Sequence, residues 1–108
     1  MAWTVETLNE VVDGEFEELP ADVLARFRYV SQRIEECGLE RVREPLVRHV
    51  QGPLWEMRLK AKDGISRALY VTAVGQRVVV VRVFVKKTQK TPHREIELAL
   101  KRAKEISQ

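Results

Sequence analysis

Residues 77–85 read Arg-Val-Val-Val-Val-Arg-Val-Phe-Val, and only Arg82 breaks the apolar run after Arg77. Alternation would give a strand one polar face; this run has none. As a strand it must be central, with both faces covered. A membrane helix is excluded, because about 18 continuous apolar residues are needed and Val78–Val81 stops at Arg82. The chain has 108 residues, which suits one domain spanning 1–108.

Two further strands precede the valine run. In Leu54–Lys62, Trp55, Met57, Leu59 and Ala61 alternate with Glu56, Arg58, Lys60 and Lys62, a period of two. A hairpin turn at Asp63-Gly64 leads to Ile65–Val74, and a turn near Gly75-Gln76 leads to the valine strand. The three form an antiparallel meander. Upstream, Trp3–Leu8 reads as a short strand and Asn9–Leu19 as a short helix capped by Asn9 or Thr7. Pro20 opens a second helix as its first-turn residue, with Val23, Leu24, Phe27, Val30 and Ile34 on one stripe and Gly38 closing it. Leu39–Gly52 has no clear period, and Pro45 and Gly52 punctuate it, so it reads as an irregular link. Thr91 as cap and Pro92 in the first turn start a last helix, whose stripe is Ile96, Ala99, Leu100, Ala103 and Ile106. The predicted order is β-α-α-β-β-β-α, an α+β fold with two N-terminal helices, an antiparallel sheet and a C-terminal helix.

Charge is divided along the chain. Residues 1–40 hold ten acids and three arginines; residues 41–108 hold sixteen bases and six acids. The split suggests a polyanion partner for the basic part. Cys37 is the single cysteine, which excludes a disulfide scaffold and a multi-cysteine metal site, and it is taken as structural. No zinc-type spacing of Cys, His or carboxylate appears. The N-terminal residues lack a basic-then-apolar leader pattern, so the cytoplasm is the expected location.

The densest basic stretch runs from Phe84 to Arg94, with Lys86, Lys87, Lys90, His93 and Arg94 and no acid until Glu95. It joins the central strand to the last helix, a junction able to meet a phosphate. Arg58 falls on the polar side of its strand; Arg67 shares parity with Ile65, Leu69 and Val71. Composition alone points to RNA or DNA binding through phosphates. Trp55 and Phe84 read as core, while Tyr70 is open between core and base stacking. Arg82 reads equally as a structural or an active residue. Lys101, Arg102 and Lys104 read as a solvated helix end, and His49 as a surface residue or a nucleic-acid contact.

Three segments resemble a known family. Gly52-Pro53-Leu54-Trp55-Glu56-Met57-Arg58 is similar to a "G-L-W-E-L-R" element. Asp63-Gly64-Ile65-Ser66-Arg67-Ala68-Leu69-Tyr70 is similar to "G-x-x-R-x-x-Y". Phe84-Val85-Lys86-Lys87-Thr88-Gln89-Lys90-Thr91-Pro92 is similar to "F-x-K-K-x-x-K-T-P". In order and spacing they resemble the phage-derived HigB-type branch of the RelE toxin superfamily, over Trp3 to about Lys104.

The resemblance implies a RelE-like domain that enters the ribosome and cuts messenger RNA, using the RNA 2′-hydroxyl as nucleophile without a metal or nucleotide cofactor. Implied partners are the 70S ribosome, mRNA and a cognate helix-turn-helix antitoxin, with oligomers formed only through the antitoxin and no membrane contact. On the matching positions it implies catalytic roles for Arg58, Arg67, Lys86, Lys87 and His93, and RNA contacts for Lys60, Lys90 and Arg94. His93 is the expected proton-transfer residue by its chemistry; the general base stays open. Arg67→Ala or Lys87→Ala is expected to relieve toxicity with the fold intact. The alternatives are a non-catalytic RNA- or ribosome-binding module, and a phage accessory protein whose acidic helices form an interaction face.

Overall fold

The structure, a computed structural model, describes residues 2–42, 46–62, 64–86 and 90–106. The chain forms β1 (Thr4–Thr7), α1 (Glu10–Glu17), α2 (Ala21–Cys37), a 3-10 turn (Leu39–Arg41), β2 (Val47–Gln51), β3 (Leu54–Ala61), β4 (Gly64–Ala73), β5 (Arg77–Lys86) and α3 (His93–Ala103). The sheet order is β1-β5-β4-β3-β2. Strands β2 to β5 form an antiparallel meander, and β1 adds in parallel to β5. The α+β class and the helix placement agree with the sequence reading.

The valine strand is covered on both faces. On one side Val12, Phe16, Val30 and Ile34 of α1 and α2 pack on Met57, Leu59, Tyr70, Val78 and Val80. On the other, Ala99, Ile96 and Leu100 of α3 pack on Leu54, Leu69, Val71, Val81 and Phe84. Tyr70 is 1% exposed, so it is core rather than a stacking surface, and burial pushes its hydroxyl pKa up. Trp55 reverses the expectation: it is 38% exposed.

A bulge explains the arginine within β5. Leu69 pairs with Arg82 and Tyr70 with Val80, which leaves Val81 as the extra residue. Arg82 therefore turns toward α3. Its Nε and Nη2 donate to Glu95 at 2.7 and 3.1 Å, and its Nη1 lies 2.9 Å from Glu15. The hydrogen bond to Glu95 raises the Arg82 pKa above its ordinary value, burial opposing it. Arg82 is structural.

Beyond Val80, β5 has no partner strand on its outer side among the described residues. Glu15 Oε1 accepts from Val83 N at 3.3 Å, and Arg102 Nη1 donates to Val81 O at 2.8 Å. Those side chains satisfy edge groups that would otherwise template pairing. Arg102, expected on a solvated helix end, is thus held against the sheet and also pairs with Glu15 at 2.9 Å.

Three local readings change. Leu39–Gly52 contains the 3-10 turn and edge strand β2, not only an irregular link. Only Val47 of β2 is buried, so the strand owes its existence to pairing with β3 rather than to its own pattern. Pro20 and Pro92 sit at the N-cap rather than in the first turn, and Thr91 does not cap α3. Cys37, taken as structural, ends α2 as an exposed free thiol. The Asp63 half of the expected Asp63-Gly64 turn lies outside the described residues.

Asn9 does cap α1, accepting from Val11 N at 3.0 Å and Val12 N at 3.2 Å. Asn9→Ala should cost about 1 kcal/mol of unfolding free energy, measured by urea denaturation; Asn9→Ser should cost less than half of that. Gly38 closes α2 at φ 90°, a region unfavourable to other residues. Among the described residues, no helix is long and apolar enough to cross a membrane.

Candidate functional site

Strand alternation places Arg48, Glu56, Arg58, Arg67 and Lys86 on the α3 side of the sheet. Arg48 pairs across strands with Glu56, Arg58 with Arg67, Arg67 with Phe84, and Ile65 with Lys86. Like charges directly opposite, as at Arg58 and Arg67, normally destabilise a sheet. The cluster is therefore an arrangement that folding alone does not favour.

Glu56 lies at its centre and is 2% exposed. Its Oε2 is 2.7 Å from Arg67 Nη1, and its Oε1 accepts from Thr91 Oγ1 at 2.7 Å. Arg67 is 4% exposed. Its contact with Glu56 is an ion pair in which the Nη1 hydrogens are not aligned on the carboxylate. Arg67 Nε and Arg58 Nε are both buried without a hydrogen-bond partner among the described residues. Donors of this kind are able to hydrogen-bond an anion that enters the site.

A cleft of about 220 Å³ opens above Glu56, lined by Arg48, His49, Val50, Glu56, Lys86, Lys90, Thr91 and Ile96. Its electrostatics are one-sided. Burial lowers the Lys86 pKa from its ordinary value; Arg67, Arg48 and Arg58 lower it further, and Glu56 opposes them. Burial likewise lowers Arg67, against Glu56, with Arg58 and Arg48 adding to the lowering. One carboxylate does not neutralise this many cations, so a bound anion would relieve the repulsion.

The sequence-predicted residues divide. Arg58, Arg67, Lys86 and Lys90 converge on this region, with Arg67 beneath it rather than on its surface. Lys87 lies outside the described residues. Lys60 is exposed on β3, on the same face as Arg58. His93 and Arg94 are exposed on the first turn of α3 and do not line the cleft. His93 is 77% exposed, with Nε2 2.6 Å from Glu97 Oε1.

Sequence reasoning missed Arg48, Glu56 and Thr91. Glu56 carried a signal, as the one acid among the three bases of its strand face. Arg48 carried none, because β2 was unrecognised. His49 is tied down locally: its Nε2 donates to Gly52 O at 2.8 Å, and its ring meets the Trp55 ring edge-on at 5.1 Å. It pairs across strands with Trp55, so alternation turns the ring to the face opposite Glu56.

Residues 14–104 match the model of a family described as Phage derived protein Gp49-like (DUF891). Among curated proteins, none matches the chain.

Proposed function

The chain belongs to the phage-derived Gp49-like family, and from that premise we propose that it is a HigB-type toxin of the RelE superfamily. Its activity is ribosome-dependent cleavage of messenger RNA by the RNA's own 2′-hydroxyl. A helix-turn-helix antitoxin is its neutralising partner. The observation that carries the reading is the cationic cleft, with buried Arg58 and Arg67 Nε donors beside and beneath it that have no hydrogen-bond partner among the described residues.

The reaction needs charge stabilisation above all. As the 2′-oxygen attacks the adjacent phosphorus, negative charge builds on the phosphorane oxygens. Preorganised donors that meet this charge lower the barrier without reorganisation. Arg48, Lys86 and Lys90 line the cleft and hold the phosphate. Arg58 flanks it, and Arg67 acts from below through its field, which is strong in a poorly solvated site. Lys86, with its pKa held down by burial and neighbouring cations, is suited to donate a proton to the leaving 5′-oxygen.

Expression without antitoxin should arrest growth and leave new ends inside translated transcripts. Ribosomes stalled on uncut messages would instead identify a non-catalytic ribosome-binding module.

A further inference from the structure

We propose that Thr91 receives the proton of the RNA 2′-hydroxyl and passes its own hydroxyl proton to Glu56. The proposal rests on the RNA-cleavage reading and supplies its proton acceptor.

The cleft offers few groups for this task. Arg48, Lys86 and Lys90 present only donors while charged. Val50 and Ile96 are apolar. His49 donates from Nε2 to Gly52 O and pairs with Trp55 on the opposite face. Among the described residues, the remaining side-chain acceptors lining the cleft are Glu56 and Thr91. Glu56 is 2% exposed, with both oxygens engaged, so it cannot meet RNA directly. Thr91 is half-buried and bridges cleft and carboxylate. Its proton is committed to Glu56, which leaves the oxygen lone pairs free to accept.

The local sequence rule fails at this residue. A threonine before proline at a helix start ordinarily caps the helix. Here Pro92 is the cap, no side chain caps α3, and the Thr91 hydroxyl goes to a buried carboxylate 35 residues away in sequence. Departures from local rules concentrate at functional sites.

The step balances. The 2′-O–H bond breaks as its proton moves to Thr91 Oγ1. The Thr91 proton moves to Glu56 Oε1, and the 2′-oxygen bonds to phosphorus, expelling the 5′-oxygen, which takes a proton from Lys86. Glu56 becomes neutral as the phosphorane gains charge. The field of Arg67, until then spent on Glu56, is released toward the phosphorane.

Single-turnover cleavage on programmed ribosomes tests this. Thr91→Val should slow cleavage by about 100-fold or more, while affinity for a message with a 2′-deoxy cut site is unchanged. Thr91→Ser should stay within about tenfold of wild type, a window well inside the 100-fold expected for the loss of a general base. In the unmodified protein, the rate should curve with the deuterium fraction of the solvent, because two protons move together. Wild-type cleavage by Thr91→Val, equal losses in the valine and serine variants, or a straight deuterium plot would each overturn the relay. A wild-type protein that cuts no message removes the RNA-cleavage reading, and the relay with it.

Discussion

Arg67→Ala should lower the unfolding free energy by about 3–5 kcal/mol, the cost of leaving one member of a buried ion pair alone. Arg67 and Glu56 have side chains 5% and 2% exposed and stand 2.7 Å apart. Removing the guanidinium strands a carboxylate whose other anchor is the Thr91 hydroxyl. The sequence reading expected this variant to keep its fold; burial of the pair predicts instead that the fold is weakened. Replacing both partners by apolar residues, as in Glu56→Leu with Arg67→Met, should recover most of the loss, since such exchanges are often near neutral. Urea denaturation of the single and double variants measures both effects. A loss below about 1 kcal/mol for Arg67→Ala, the ceiling for an exposed pair, would mean that the pair is solvated.

The second large effect is on activity with the fold spared. Arg58→Gln combined with Lys86→Gln should reduce single-turnover cleavage by about 1,000-fold or more, because each removed donor to a developing oxyanion costs about 100- to 1,000-fold. Stability should hold or rise. Arg58 faces Arg67 across the strands, and the Lys86 charge is disfavoured by burial and by neighbouring cations. The sign follows from linkage. The folded pKa of Lys86 lies below its unfolded value, so its penalty is complete below the folded pKa. That penalty fades as pH rises toward the unfolded pKa. At neutral pH the substitution therefore removes a destabilising charge. A double variant that cuts as fast as wild type would place the chemistry elsewhere.

Most of the fold was legible because its signals are local. The valine run demanded two covered faces, β3 alternated, and Asn9, Gly38 and the apolar stripes marked the helices. What stayed hidden depends on partners distant in sequence. Strand β2 shows one buried residue and is made by pairing with β3. Glu56 reads as solvated from alternation alone, because nothing local says that Thr91 reaches back to it. Thr91 obeys a capping rule in the sequence, and a tertiary contact overrides it.

The site was legible in type but not in arrangement. Of the run from Lys86 to Arg94, Lys86 and Lys90 line the cleft, and strand parity aimed Arg58. His93 was chosen for its side chain, yet the first turn of α3 points it to solvent, against Glu97. The acidic residues of the 1–40 segment also hold the fold together. Glu15 neutralises Arg82 and Arg102, Glu35 accepts from Val5 N, and Asp22 accepts from Lys62 N. Its carboxylates grip the sheet that carries the basic site.

The central claim is that the RNA's own 2′-hydroxyl makes the cut in this cleft. The direct measurement uses programmed ribosomes, purified protein and a message carrying one 2′-deoxynucleotide at the cleaved position, with analysis of the new 3′ ends. Attack by the 2′-hydroxyl requires a 2′,3′-cyclic phosphate on the all-ribose message and no cut at the deoxy position. Cleavage of the deoxy message at the same position, or a free 3′-hydroxyl end, would contradict it.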